Sequence, residues 1–443
     1  MSVIEKYLSQ YAEPEAQQLD GLAGQYQHCF CIPAYNEEPK FIERLVAFIN
    51  RQSATLAIIV LNRPDETTDN ENNDALENHA CKKRLTQQLS MSWQHNNLQL
   101  HCAENQSAVL LVDRFDAGAL IPYKQGVGLA RKIAADIALQ LIERQQITSP
   151  WIYSTDADVV LPDNYFERDH NHLTVKHHQI KKTAHKKDIA AYIIAYQHIA
   201  TGKPTIDTAT QLYQHRLNAY VEGLRSANSP YAFETLGSTL CIHALHYAMV
   251  RGFPKRAAGE DFYLLNKLAK TGDILSLNMP VIEIESRISH RTPFGTGSSV
   301  DDILSADDPQ QAAIFYHPQL FMLLKKTLVW IEGLAEQTAS DSIIDSWQDQ
   351  INNYSQWPAE EQLMITQALN AIDFNRGLSH CLSNSRNATQ FKRQMEGWFD
   401  GFKTLKYLHA LRDKNNLSNI SEKNYLALKN INHNLKSSDS SSA

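Results

Sequence analysis

Two apolar runs flanking one amphipathic helix constrain this chain most. Residues 28–50 read HCFCIPAYNEEPKFIERLVAFIN: an apolar strand, a proline-containing turn, then a helix whose Phe41, Leu45, Phe48 and Ile49 recur at helical spacing. LAIIVLN at 56–62 supplies a second strand. Strand, helix and strand in that order begin a parallel sheet with a crossover helix packed on it. The fold class expected is therefore α/β, a mostly parallel sheet flanked by helices. Ligands of such sheets bind just past the C-terminal ends of the strands. The turn after the first strand and Asn62 at the end of the second lie there.

AVLLVDRF at 108–115, AAYIIAYQHI at 190–199, Leu240–Ile242 and the alternating Ile and Glu residues after Val281 read as further strands. Helices are expected at 75–89, at 127–143 and over QLYQHRLNAYVEGLRSA. From about Asp307 the strands cease. Leu320, Leu324, Leu328 and Ile331 share one helical face, and Phe391, Met395, Trp398, Phe402 and Leu405 share another. The division expected is an α/β domain over 1–304, with a His/Lys-rich insert at 163–188, then an all-helical domain over 305–430. A disordered tail over 431–443, ending KSSDSSSA, closes it.

A formal net charge of −7 offers no broad basic surface for phosphate neutralisation, which argues against a nucleic-acid partner. Six cysteines in 443 residues make no disulfide framework; Cys29 and Cys31 on a buried strand read as free thiols in a reducing cytoplasm. The N-terminus lacks the charged-then-apolar order of a signal peptide. No apolar run reaches the roughly 20 residues of a membrane-spanning helix, so a soluble, cytoplasmic protein is expected. His170, His172, His177, His178 and His185 stand among lysines that would repel a cation, and they read as a solvated basic loop.

Candidate chemistry gathers on a few acidic residues. In WIYSTDADVVLP, residues 151–162, Asp156 and Asp158 follow a short apolar strand. Two carboxylates one residue apart suit a hard cation, Mg²⁺ or Mn²⁺, that takes its remaining ligands from phosphate; an exposed acidic turn would look the same. A calcium loop fits less well, because Val160 holds the next ligand position. Gly259-Glu260-Asp261 opens a helix, where one carboxylate would satisfy the dipole and a second would suit general-base work. Gly126 and Gly128 form half a dinucleotide fingerprint without its third glycine. Arg131, just inside the next helix, reads equally as a phosphate or base contact and as a solvated charge. Arg287, His290 and Arg291 read either as diphosphate contacts, with His290 completing a metal shell, or as an ordinary surface loop.

Taken together, IPAYNEE, DAD and GSTLCIHALHYAMVRGFPKRAAGEDFYLLNKL resemble the bacterial, soluble GT-A glycosyltransferases of family 2, over about Cys29 to Gly297. The resemblance implies a GT-A-like sheet. It also implies transfer of a sugar from a nucleoside-diphosphate sugar donor to a hydroxyl acceptor, with Mg²⁺ or Mn²⁺ on the D-x-D motif. By the same resemblance Ala34, Tyr35, Glu37, Asn62, Arg131 and Asp156 contact the nucleotide sugar. Asp158 with Asp156 holds the metal, and His290 is the candidate to complete its shell. Asp261 is the base of an inverting displacement, and Glu260 contacts or positions the acceptor. Asn62 stands where an aspartate is common. A sugar-phosphate nucleotidyltransferase is the alternative enzyme, but IPAYNEEPK lacks the glycine-rich loop expected after its first strand. A non-catalytic nucleotide-sugar-binding protein is the other.

Overall fold

The structure, a computed structural model, describes residues 1–66, 71–116, 118–167, 188–286, 296–335 and 343–439. In chain order the strands are β1 (His28–Ala34), β2 (Thr55–Asn62), β3 (Ser90–His95), β4 (Leu98–Cys102) and β5 (Ala108–Arg114). They continue as β6 (Trp151–Ser154), β7 (Val159–Val160), β8 (Ile189–Ile199), β9 (Leu240–His243) and β10 (Asp273–Glu285). The first helices are α1 (Val3–Gln10), α2 (Lys40–Arg51), α3 (Glu71–Gln88) and α4 (Gly126–Glu143). After them come α5 (Pro204–Ser226), α6 (Ala244–Met249), α7 (Glu260–Leu268) and α8 (Thr296–Leu304).

The ten strands among the described residues form one sheet in the order β3-β4-β5-β2-β1-β6-β9-β8-β10-β7. β5, β2, β1 and β6 pair in parallel, as do β8 and β10, while β9 runs antiparallel between β6 and β8. With its helical C-terminal region, this is the mostly parallel, GT-A-like arrangement the motifs implied.

Every residue of β2 is buried, as a central strand covered on both faces requires. On one face Phe30, Ile32, Ile59 and Leu61 pack with Phe41, Leu45 and Phe48 of α2 and with Cys81 and Leu85 of α3. α4 packs on β1, β2 and β6, and strand alternation turns Cys29, Cys31, Ile58 and Val60 to the opposite face. The described cysteines are all free, and all but Cys102 are buried. The β3–β4 hairpin was not foreseen. Its strand SMSWQH is short and almost wholly exposed, and although Met91 and Trp93 alternate with Ser90, Ser92 and Gln94 it holds no apolar run; Asn96 turns the corner at φ +50°.

The chain divides into two units: Met1–Asp207 with Thr235–Val300, and Thr208–Glu234 with Asp301–Ala443. Thr208–Glu234 thus differs from the expected division, which placed it in the α/β domain. The reason is packing: Leu224, Ala227 and Ala232 share a core with Leu320, Phe321 and Leu324. The rest of that unit is α9 (Pro318–Leu334), α10 (Ile343–Asn352), α11 (Ala359–Ala371), α12 (Phe374–Ser383), α13 (Ala388–Trp398), α14 (Gly401–Lys414) and α15 (Glu422–Asp439). Phe391 and Met395 enter its core and Trp398 packs against it, but the face expected to run on to Phe402 and Leu405 is interrupted, because α13 ends at Trp398 and Asp400 caps α14. The expected tail from 431 also needs correction. α15 continues to Asp439, with no Pro or Gly to end it, and only 440–443 lie outside the described residues. No described helix is long and apolar enough to cross a membrane.

Candidate active site

β6 lies between β1 and β9 and ends at Ser154, so Thr155–Asp158 turns over the ligand edge of the sheet. The turn is pinned from both sides. Val159 N donates to the Asp156 carbonyl at 3.3 Å, and Glu285 N donates to the Asp158 carbonyl at 3.1 Å. Arg44 of α2 donates to the Ala157 carbonyl at 2.8 Å and pairs with the Glu285 carboxylate at 2.5 Å. Asp156 and Asp158 are each half-buried. A cavity of about 180 Å³ opens beside Asp156 on the α2 side, with Phe41, Arg44, Leu45, Phe48 and Leu161 in its walls.

Arg131 organises the other side. Its side chain is 4% exposed, so it is not the solvated helix charge that was one of the two sequence expectations. Nε donates to Glu260 Oε1 at 2.8 Å and Nη2 to Asp156 Oδ1 at 2.6 Å. Nη1 donates to Ser154 Oγ at 2.8 Å and to the Gly237 carbonyl at 3.2 Å. Burial by itself would lower the guanidinium pKa; the charges of Asp156, Glu260 and Asp261 reverse that and raise it. Gly237 is part of the arrangement, because a Cβ there would stand 2.4 Å from Nη2. Ser154 and Gly237 escaped the sequence reading. Both lie inside the quoted motifs, but nothing marks a serine or glycine as the wall of an arginine slot until the strands are paired.

Glu260 and Asp261 begin α7 directly after Gly259, whose φ of +71° favours glycine. Glu260 is buried and Asp261 half-buried, with its Oδ1 accepting from Phe262 N at 2.6 Å. Burial first, then the charges of Glu260 and Asp156, push the Asp261 carboxyl up to about 7, against the opposing pull of Phe262 N and Arg131. Asp156, Arg131, Glu260 and Asp261 thus form one electrostatic group.

Two features hold that group in place. Gly126 and Gly128 are packing glycines rather than half a phosphate loop. Gly128 N donates to the Arg256 carbonyl at 2.9 Å, and a Cβ on Gly128 would lie 2.4 Å from the Pro254 carbonyl oxygen. They let the start of α4 touch the segment that leads into Gly259. Deeper along α4, the fully buried Asp136 accepts from Tyr7 at 2.5 Å, Tyr247 at 2.8 Å, Lys132 at 2.7 Å and Glu13 N at 2.8 Å. Burial raises the Asp136 carboxyl pKa despite Lys132. The N-terminal segment, read from sequence as a lead-in, is tied down by this hub. A buried i,i+4 Lys–Asp pair cannot be told in sequence from an exposed one.

The remaining predicted residues lie along the same sheet edge. Ala34, at the end of β1, accepts at its carbonyl from Asn62 Nδ2 at 3.0 Å. Asn62 Nδ2 also reaches the Val60 carbonyl at 3.2 Å, and Asn78 Nδ2 donates to the Asn62 carbonyl at 3.0 Å, so its amide staples β1 to β2. Tyr35 is half-buried and Glu37 buried, and between them Asn36 turns at φ +51°. Arg287, His290, Arg291 and most of the His/Lys-rich insert lie outside the described residues. Among the described residues no three His, Cys, Asp or Glu side chains converge on a metal position.

No protein-family model matches the chain, and no curated protein is significantly similar to it in sequence. Among solved structures it is similar to TarS of S. aureus, at 14% identity and a TM-score of 0.32, over 84% of this chain and 55% of TarS. The chain therefore spans about half the length of that protein. It is also similar to a mycobacterial protein, at 13% identity and a TM-score of 0.32, over 73% of this chain and 78% of the other. A third similar structure is glucosyl-3-phosphoglycerate synthase from Mycobacterium tuberculosis, solved with Mn²⁺, uridine diphosphate and glucosyl-3-phosphoglycerate. There the identity is 12% and the TM-score 0.29, over 61% of this chain and 73% of that one.

Proposed function

We propose that the α/β unit is a glycosyltransferase, moving a sugar from a nucleoside-diphosphate sugar to a hydroxyl acceptor with inversion. One observation carries the proposal: a single buried guanidinium holds Asp156 of the D-x-D motif at 2.6 Å and Glu260 of the E-D pair at 2.8 Å. Acidic groups far apart in sequence thereby meet at the ligand edge.

Asp261 is the base. With its carboxyl pushed to about 7, it is partly ionised at neutral pH and basic enough to draw a proton from a hydroxyl. Glu260, buried against Arg131, positions the acceptor side of the site. Ala34, Tyr35, Glu37 and Asn62 form the wall against which the nucleotide rests. Asp156 and Asp158 suit a Mg²⁺ or Mn²⁺ ion, since both offer hard oxygen donors on one turn. Asp156 commits only Oδ1 to Arg131 and its side chain keeps 33% exposure. Two carboxylates make a partial shell, the kind that diphosphate oxygens and water complete. When bound, the ion supplies positive charge for the departing diphosphate.

The experiment is a panel of uridine and guanosine diphosphate sugars with Mg²⁺ or Mn²⁺, read by thermal shift and by nucleoside-diphosphate release. A donor that binds and is turned over supports the proposal. Pyrophosphate release from a sugar phosphate and a nucleoside triphosphate would make the protein a nucleotidyltransferase instead. Binding with neither hydrolysis nor transfer would make it a nucleotide-sugar-binding protein.

A further inference from the structure

We propose that Arg131 is a positioning residue that couples Asp156 to Glu260 through one guanidinium seated in a slot left open by Gly237, and that it makes no contact with the nucleotide. The inference rests on the glycosyltransferase reading only for the roles of the carboxylates it joins.

Geometry carries the proposal. A guanidinium that grips a phosphate must present its fork to the ligand. Here all three nitrogens already meet protein acceptors: Glu260 at Nε, Asp156 at Nη2, and Ser154 and Gly237 at Nη1. The side chain is 4% exposed. The bonds to Ser154 and Gly237 fix the group to the framework, because β6 and β9 are paired neighbours with Ser154 opposite Leu240. The other two bonds then set where Asp156, on the turn after β6, stands relative to Glu260, at the start of α7. A planar fork transmits that relation where a flexible ammonium would not. Gly237 is required for the same reason. Its missing Cβ is the space that Nη2 fills, with 2.4 Å to the position a Cβ would take. The neighbour there is the buried guanidinium, which is bonded through all three of its nitrogens and has little freedom to yield.

The coupling extends to Asp261. The charges that act on its carboxyl come from Glu260 beside it on α7, Arg131 on α4 and Asp156 after β6, with Phe262 N donating to it. Displacing the guanidinium weakens a downward influence on that carboxyl, so its titration midpoint should rise even with no ligand bound.

The test compares Arg131→Lys, Gly237→Ala and Ser154→Ala with the wild-type chain. Three quantities are read: affinity for uridine and guanosine diphosphate with Mn²⁺, kcat for the donor found active, and the ¹³C NMR titration of Asp261 in the ligand-free protein, assigned with Asp261→Asn. We expect nucleotide affinity within about threefold of wild type, kcat reduced about tenfold or more, and an upward-shifted Asp261 midpoint in Arg131→Lys and Gly237→Ala. Affinity lost about tenfold with kcat unchanged would make Arg131 a nucleotide contact and overturn the proposal. An Asp261 titration unmoved in both variants would overturn it equally. If the wild-type chain binds neither nucleotide, the transferase reading fails, and the NMR titration still decides the positioning role. Ser154→Ala removes one framework bond without unbalancing charge, so it carries the comparison should Arg131→Lys not fold.

Discussion

Replacing Asp261 with asparagine should stabilise the α/β unit at pH 8 and leave it little changed near pH 4. The folded protein holds this carboxyl at about 7, against an ordinary value of 3.8, because burial and the charges of Glu260 and Asp156 oppose ionisation. A carboxyl raised on folding contributes stability that is fully present below its unfolded pKa and is lost as pH rises through its folded pKa. The window is therefore about pH 4 to 7. A displacement of this size corresponds to about 4 kcal/mol between the two protonation states as an upper bound. Water reaching the half-buried carboxyl reduces this to about 1–3 kcal/mol. Asparagine does not titrate, and its Oδ1 can still accept from Phe262 N. The stability difference between variant and wild type should thus grow from pH 4 to 7 and then level off. With about 2–4 °C per kcal/mol for a unit of this size, the midpoint difference at pH 8 is about 2–12 °C. Thermal and urea unfolding from pH 4 to 8.5 would measure it. A difference that stays flat with pH would refute both the raised carboxyl and the electrostatic group that explains it. Nucleotide binding should survive the substitution, while transfer should fall by about 10²–10⁴.

The other predictions concern single contacts. Asp158→Ala should lose the Mn²⁺-dependent part of uridine or guanosine diphosphate binding while retaining the fold, checked by calorimetry with and without the ion. Gly128→Ala drives a Cβ to 2.4 Å from the Pro254 carbonyl, a backbone neighbour with little room to move, so it should cost about 1–3 kcal/mol in urea unfolding. Tyr7→Phe removes one of the donors to the fully buried Asp136, and about 1–3 kcal/mol should be lost with the far-UV spectrum unchanged.

The sequence by itself determined the order of the central strands and their helices, though not the β3–β4 hairpin, the helical character of the chain after about residue 307, and the two acidic motifs at strand and helix ends. These are local matters: apolar runs, helical spacing and a glycine before two carboxylates each have a physical signature within a few residues. Tertiary structure decided the environment of each charge. Arg131 reads the same in sequence whether solvated or buried; only the pairing of β6 with β9 places Ser154 and Gly237 around it and turns a helix charge into a bridge between Asp156 and Glu260. Gly126 and Gly128 read in sequence as half a dinucleotide fingerprint; in the fold Ala257 stands against Gly126, and the carbonyls of Pro254 and Arg256 against Gly128. Asp136 and Lys132 could have been an exposed helix pair until Tyr7 and Tyr247 closed over them. Desolvation and long-range contact set the chemistry of a charged group, and neither is a property of its neighbours along the chain.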